Sequence, residues 1–127
     1  MRALVIDDSR AMRTILRGIL SDLDFEVAEA ADGKEAIRIL DQDPAFDLAL
    51  VDWNLPEMNG LEIVTEVRKD ERFSDLHLLM VTTETEFERV HQALQAGANE
   101  YIMKPFDKAM LLDKLLILGI PIDTPQA

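Results

Sequence analysis

Short apolar runs alternate with amphipathic stretches along most of the chain. Each run has the length of a β-strand. The third and fourth runs are continuously apolar, which is typical of parallel strands that are buried on both faces. The pattern predicts five strands, at Leu4–Ile6, Phe25–Ala28, Leu48–Val51, Leu78–Val81 and Tyr101–Met103.

Between these runs, apolar residues recur at the three- and four-residue spacing of an amphipathic helix. Asp32 begins a capping-box-like Asp-Gly-Lys-Glu sequence at the second stretch, and Gly97 follows the fourth, where a glycine commonly ends a helix. The spacing predicts five helices, at Met12–Leu23, Asp32–Leu40, about Gly60–Arg68, about Glu86–Ala96 and about Lys108–Leu118.

Strand and helix alternate five times, which predicts an α/β fold: a doubly wound (βα)5 parallel sheet with right-handed crossovers and helices on both faces. No internal repeat or long linker interrupts the pattern. We therefore expect one domain over residues 1–119 and a short C-terminal tail over residues 120–127. The expected strand order is the flavodoxin-like order 2-1-3-4-5, in which a ligand crevice lies beyond the carboxyl ends of strands one and three.

Polar side chains follow four of the predicted strands. Asp7 and Asp8 come after the first strand, Asp52 after the third, Thr82 after the fourth and Lys104 after the fifth. The carboxyl ends of parallel strands meet at one edge of a sheet, so these side chains are expected to converge. Each of them alone is more often structural, the charged residues as solvated loop positions and Thr82 as a strand-end hydroxyl. Their joint occurrence at four strand ends predicts a site.

The residue types favour a magnesium site that serves phosphoryl transfer. Three neighbouring carboxylates repel one another unless a cation lies among them, and oxygen ligands without cysteine favour Mg²⁺ over zinc. Phosphoryl transfer depends mainly on positioning and on neutralisation of charge, which Mg²⁺ and Lys104 would provide from two sides. The nucleophile would then be a carboxylate, as in enzymes that form an aspartyl phosphate.

Composition narrows the range of partners. Of 127 residues, 48% are hydrophobic and 30% are charged, which is the balance of a globular domain. The formal net charge of −12 disfavours binding to nucleic acid or to anionic lipid. No apolar run approaches the ~20 residues of a membrane span. The chain has no cysteine, so disulfides are excluded, and a cytoplasmic location is expected.

Several motifs together identify a family. They are Val5-Ile-Asp-Asp-Ser9 with Met12-Arg13, Asp52-Trp-Asn-Leu-Pro56 with Asn59-Gly-Leu61, Met80-Val-Thr-Thr-Glu84, Gln95-Ala-Gly-Ala98, and Tyr101 with Lys104-Pro-Phe106. Their combination resembles the receiver domains of two-component response regulators, in particular the CheY-like members of chemotaxis systems. The resemblance extends over the chain to about Leu118.

The resemblance implies a role for each residue at the strand ends. Asp52 corresponds to the phosphoacceptor, which a histidine kinase phosphorylates. Asp8, Asp52 and the backbone carbonyl of Asn54 correspond to direct Mg²⁺ ligands, and Asp7 to a carboxylate that holds the waters of the metal ion. Lys104 corresponds to the lysine that pairs with the phosphoryl oxygens, and its bond to the following proline is commonly cis in the family.

The resemblance also implies how the signal leaves the site. Thr82 and Tyr101 correspond to the switch residues, which move together on phosphorylation and alter a face formed by helix four, strand five and helix five. An unknown output protein would bind that face, and a phosphatase is a further candidate partner. Asn54 and Glu84 occupy the positions that tune the lifetime of the phosphoryl group in the family.

Three positions depart from the family pattern. Asn59 stands where an aspartate is common and is expected to cap helix three. Thr83 replaces a small residue beside the switch hydroxyl, which narrows access to the phosphoryl group. The acidic segment Glu84–Arg89 stands where motor-binding chemotaxis proteins carry lysines, and this argues against the flagellar motor as the output target.

Three other functions are less consistent with the residues. A phosphatase of the haloacid dehalogenase type needs a second acid two residues after the nucleophile, where this chain has Asn54. A flavin carrier needs a phosphate-binding loop after strand one, where Asp7 and Asp8 would repel the phosphate. A non-phosphorylated docking module would not need the complete acidic set. His77 and His91 are isolated in the sequence and are not predicted to relay phosphoryl groups.

Overall fold

The computed structural model describes residues 1–83 and 88–122. Within these ranges, five parallel strands form one sheet in the order β2-β1-β3-β4-β5, which confirms the predicted fold and strand order. The strands are β1 (Arg2–Ile6), β2 (Glu26–Ala30), β3 (Leu48–Asp52), β4 (His77–Thr82) and β5 (Glu100–Met103).

In the described residues, four helices connect successive strands, a fifth helix follows β5, and a short 3₁₀ turn at Glu71–Phe73 precedes β4. None of the helices in the described ranges is long and apolar enough to span a bilayer. The helices are α1 (Arg10–Asp22), α2 (Gly33–Gln42), α3 (Gly60–Arg68), α4 (Val90–Ala96) and α5 (Lys108–Ile117).

Several predicted boundaries shift by one or two residues, and a local hydrogen bond accounts for two of these shifts. The first helix begins two residues before the predicted start at Met12, because the Ser9 hydroxyl accepts a hydrogen bond from the Met12 amide. The second strand begins after Phe25, because the Phe25 amide donates to the Leu20 carbonyl and so belongs to the end of α1. The predicted start of the fourth helix, at about Glu86, lies outside the described residues.

Other caps agree with the sequence. Asp32 accepts a hydrogen bond from the Glu35 amide at the start of α2. Asn59 and Glu62 form a complete capping box at the start of α3. Gly97 ends α4 with a φ of +124°, a backbone conformation that favours glycine.

Alternate residues of the central strands enter two separate apolar layers, because successive side chains of a strand point to opposite faces. On one face, Val51 and Met80 pack with side chains of α2, α3 and α4. On the other face, Leu50 and Val81 pack with α1 and α5. Ile120, in the predicted tail, is 3% exposed and packs into this second layer. Burial on both faces explains why the third and fourth strands are continuously apolar.

Candidate functional site

The carboxyl ends of β1 and β3 bring three aspartates together. Asp7 and Asp8 directly follow β1, and Asp52 is the last residue of β3. Each residue offers one carboxylate oxygen, and these oxygens lie within 4.8 Å of one another. Asp7 is 1% exposed and Asp52 is 7% exposed, whereas Asp8 is open to solvent. The three carboxylates therefore form an acidic pocket that is buried at Asp7 and Asp52 and open to solvent at Asp8.

Lys104 supplies a positive charge to this pocket. Its Nζ lies 3.5 Å from Asp7 Oδ2 and 3.7 Å from Asp52 Oδ1, and its side chain is 22% exposed. The Lys104 amide donates to the Thr82 carbonyl at 2.7 Å, and the Lys104–Pro105 peptide bond is cis. Three carboxylates and one ammonium leave a formal charge of minus two at the site.

Hydrogen bonds fix the loop that carries Asp7 and Asp8. The Asp7 amide donates to the Ala30 carbonyl at the end of β2, at 3.1 Å. Asp7 Oδ1 accepts a hydrogen bond from the Ser9 amide at 2.8 Å, and the Asp7 carbonyl accepts one from the Arg13 guanidinium at 2.8 Å. The backbone on both sides of Asp8 is therefore held in place.

Gly60 allows α3 to begin against the end of β3. A Cβ atom at this position would lie 2.9 Å from the Asp52 carbonyl oxygen and 2.7 Å from the Met80 side chain. The Gly60 amide donates to the Trp53 carbonyl at 3.1 Å. Gly60 lies within the Asn59-Gly-Leu61 motif, but the sequence alone does not indicate its role, because the close approach exists only in the folded chain.

Thr82 and Tyr101 lie on the two strands that follow β3 in the sheet. Thr82 is 1% exposed at the end of β4, and its hydroxyl donates to the Thr83 carbonyl at 3.2 Å. Tyr101 is half-buried on β5 and pairs in register with Met80. The Lys114 ammonium lies 4.7 Å from the centroid of the Tyr101 ring.

The remaining predicted site residues are Asn54 and Glu84. Asn54 is exposed, two residues after Asp52, and Trp53 between them is 3% exposed. Glu84 lies outside the described residues. His77 begins β4 and therefore lies at the sheet edge opposite to the acidic pocket.

The donor set fits Mg²⁺ and a phosphoryl group. Its atoms are hard carboxylate oxygens, which Mg²⁺ prefers, and the pocket is open on the side of Asp8. The formal charge of minus two matches a divalent cation. With such a cation bound, the pocket and the Lys104 ammonium could receive an anionic group beside Asp52.

Comparisons with known proteins agree with this geometry. The family model described as "Response regulator receiver domain" matches residues 3–116. Chemotaxis protein CheY1 of Helicobacter pylori is 46% identical over 121 residues, which span 94% of this chain and 98% of that protein. Chemotaxis protein CheY of Pseudomonas aeruginosa is 41% identical over 116 residues, which span 91% of this chain and 93% of that protein.

A solved structure shares the fold along nearly the whole chain. It is the high-resolution structure of Vibrio cholerae chemotaxis protein CheY4, which superposes with a TM-score of 0.85 at 35% sequence identity. The superposition covers 92% of this chain and 97% of that structure. The sheet order and the arrangement of helices are therefore common to both molecules.

Proposed function

The chain belongs to the response regulator receiver domain family, and from that premise we propose that it is a signalling phosphoacceptor, in which Asp52 takes a phosphoryl group from a histidine kinase. One observation carries the proposal: Asp52 shares an acidic pocket with Asp7 and Asp8, and the Lys104 ammonium lies within 4 Å of carboxylate oxygens of both Asp7 and Asp52. Incubation with acetyl phosphate and Mg²⁺, compared with that of an Asp52→Asn variant, tests it.

In the proposed transfer, a carboxylate oxygen of Asp52 attacks the phosphorus of an N-phosphohistidine. The phosphorus–nitrogen bond breaks, its electron pair stays on the imidazole nitrogen, and a phosphorus–oxygen bond to Asp52 forms. Asp52 needs no general base, because its carboxylate is already the nucleophile. The Lys104 ammonium, 3.7 Å from Asp52 Oδ1, is positioned to pair with the phosphoryl oxygens.

The acidic pocket is proposed to hold Mg²⁺. Asp8, Asp52 and the backbone carbonyl of Asn54 would be direct ligands, and Asp7 would hold the waters of the ion. When bound, Mg²⁺ supplies positive charge that offsets the charge of the phosphoryl oxygens. The hydrogen bonds that Asp7 makes with Ser9 and Ala30 orient this part of the site.

We propose that Thr82 and Tyr101 transmit the phosphorylated state to the face formed by α4, β5 and α5. The Thr82 hydroxyl donates to the Thr83 carbonyl in the structure, so a turn of its side chain toward Asp52 would exchange this hydrogen bond for one to a phosphoryl oxygen. Such an exchange favours one of two states through contacts that differ between them. Tyr101 lies on the neighbouring strand and would follow.

The switch predicts a distant spectroscopic effect. Addition of beryllofluoride and Mg²⁺, which mimic the phosphoryl group, should shift amide resonances around Tyr101 and α4 as well as those next to Asp52. Two-dimensional NMR of the labelled protein measures both regions at once. Thr82→Ala should lose the shifts around Tyr101 and keep those next to Asp52. Wild-type shifts confined to the neighbours of Asp52 would contradict the proposed switch.

The phosphorylated form should decay within seconds to minutes. Asn54 and Glu84 follow Asp52 and Thr82 by two residues, and Asn54 is exposed, so a small neutral side chain leaves a path for an attacking water. The decay of the phosphorylated protein after removal of the phosphodonor measures the lifetime. Asn54→Lys should slow the decay, because its longer side chain obstructs that path. A wild-type half-life of hours in Mg²⁺ would refute this prediction.

The relatives are named chemotaxis proteins, so we propose a chemotaxis pathway and a cytoplasmic site of action. In this pathway a histidine kinase would donate the phosphoryl group, and a phosphatase would remove it. The acidic segment Glu84–Arg89 favours an output partner that does not require lysines in this segment. The flagellar motor is therefore not the target that we propose.

A further inference from the structure

Arg13 lies on α1, outside the set of acidic and switch residues, but it contacts the loop that carries the proposed metal ligands. Its Nη1 donates to the backbone carbonyl of Asp7 at 2.8 Å. Its Nε donates to Glu29 Oε1, on β2, at 3.1 Å. The side chain of Arg13 is 16% exposed and that of Glu29 is 26% exposed, so solvent screens this ion pair only in part.

The carbonyl that Arg13 contacts belongs to the peptide bond between Asp7 and Asp8. The Asp7 amide is already bound to Ala30, and the Asp7 carboxylate already accepts the Ser9 amide. The Arg13 contact adds the third hydrogen bond, and it fixes the plane of the peptide that precedes Asp8. Asp8 itself is exposed, so its direction depends on this backbone more than on packing around its side chain.

We propose that Arg13, held by Glu29, is a positioning residue that aims the Asp8 carboxylate into the acidic pocket and so raises the affinity of the site for Mg²⁺. The inference rests on the proposed metal site. Hydrogen bonds that orient metal ligands from outside the coordination shell are commonly worth 10–100-fold in metal affinity. Arg13 would act on the backbone of the ligand loop and need not touch the metal ion.

The charge of Arg13 alone predicts the opposite effect on Mg²⁺ affinity. Arg13 carries a positive charge near a cation site, so its removal without loss of positioning should strengthen Mg²⁺ binding. If Arg13 positions Asp8, its removal should weaken Mg²⁺ binding despite the lost repulsion. The sign of the change therefore separates the two effects.

Arg17 provides a matched control. It lies one helical turn after Arg13 on α1, it carries the same charge, and its Nη1 pairs with Oε2 of Glu29. Among the described residues, Arg17 makes no hydrogen bond with the Asp7–Ser9 loop. Arg17→Ala thus removes the same charge from the same acidic partner and leaves the contact with Asp7 in place.

The experiment is a titration of the metal-free protein with Mg²⁺, followed by fluorescence of Trp53. This residue is the sole tryptophan of the sequence, it is buried, and it adjoins Asp52. Arg13→Ala should raise the Mg²⁺ dissociation constant about tenfold or more. Arg17→Ala should leave it unchanged or lower it. At saturating Mg²⁺, the phosphorylation rate of Arg13→Ala with acetyl phosphate should return to the wild-type value.

The outcomes separate this inference from the proposed function. If wild type shows no response to Mg²⁺, the metal site itself is wrong and the inference falls with it. If wild type binds Mg²⁺ and Arg13→Ala binds it as tightly as Arg17→Ala does, only the inference is overturned. A rate that stays low at saturating Mg²⁺ would also overturn it.

A second variant covers the case in which Arg13→Ala does not fold. Arg13→Lys keeps the charge and much of the stem, but its compact ammonium lacks the planar fork with which the guanidinium donates to Glu29 and to the Asp7 carbonyl together. It should weaken Mg²⁺ binding several-fold while its melting temperature in EDTA stays close to that of wild type. Wild-type affinity in Arg13→Lys would overturn the inference.

Discussion

Asp52→Asn should take up no phosphoryl group from acetyl phosphate and Mg²⁺, whereas the wild type should take up one. The substitution keeps the size of the side chain and removes the carboxylate oxygen that attacks phosphorus. A small acyl phosphate needs no docking surface, so the reaction reports on the acidic pocket and Lys104 alone. Intact-protein mass spectrometry measures the uptake, and the wild-type adduct should be acid-stable and base-labile, as an acyl phosphate is.

Asp41→Asn is the matched control for this loss. Asp41 lies on α2 with a side chain that is 69% exposed, and its ion pair with Arg72 is on the surface, so its removal should change little. The control should be phosphorylated as wild type is. Uptake by Asp52→Asn equal to that of the control would mean that another residue is the phosphoacceptor.

Asp8→Asn should melt at a higher temperature than wild type in the absence of Mg²⁺ and at a lower temperature than wild type in saturating Mg²⁺. Carboxylate oxygens of Asp7, Asp8 and Asp52 lie within 4.8 Å of one another, so the metal-free protein contains mutual repulsion. If removal of the Asp8 charge relieves about 1 kcal/mol of it, the melting temperature in EDTA should rise by roughly 3–6 °C. Lys104 pairs with Asp7 and Asp52, and in the described residues it forms no ion pair with Asp8.

Saturating Mg²⁺ should make wild type more stable than Asp8→Asn. A ligand that binds only the folded state contributes about 2.7 kcal/mol at ~100 times its dissociation constant, which is roughly 10 °C for a domain of this size. Asp8→Asn should lose most of this shift, because a proposed direct ligand is gone, whereas Asp41→Asn should keep it. Melting curves in EDTA and in saturating Mg²⁺ decide the matter. An undiminished Mg²⁺ shift in Asp8→Asn would contradict a shared metal site.

The fold was predictable because two strong patterns agree. Continuous apolar runs such as Leu48–Val51 reflect burial on both faces of the sheet, and the helical spacing between the runs reflects helices with one buried face. Boundaries were less predictable where a local hydrogen bond competes with hydrophobic periodicity. Phe25 is apolar and buried like a strand residue, yet its amide completes the end of α1.

The grouping of candidate site residues was also predictable, since parallel topology alone brings the ends of β1 and β3 together. The sequence does not show how deeply each of these side chains is buried. Asp7 and Asp8 are adjacent in sequence, yet the first is buried and the second is exposed. The buried Asp7 carboxylate accepts the Ser9 amide and lies 3.5 Å from Lys104 Nζ, and these partners come together only in the folded chain.

Contacts between distant segments explain the residues that received no role from the sequence. Arg13 reaches Glu29, sixteen residues later on another element, and the Asp7 carbonyl. Gly60 is required by its distance to the Asp52 carbonyl, which depends on where α3 packs. The contacts of Arg13 and of Gly60 do not recur at a helix or strand period, so the hydrophobic pattern of the sequence does not reveal them.

Chemical trapping of the phosphorylated protein tests the central claim most directly. Borohydride reduces an aspartyl phosphate to homoserine, so reduction after treatment with acetyl phosphate and Mg²⁺ marks the residue that carried the phosphoryl group. Peptide mapping by mass spectrometry then locates the mark. We expect homoserine at position 52 and at no other aspartate, and none in protein reduced without a phosphodonor. Homoserine at position 7 or 8, or at a carboxylate outside the pocket, would contradict the assignment of Asp52 as the phosphoacceptor.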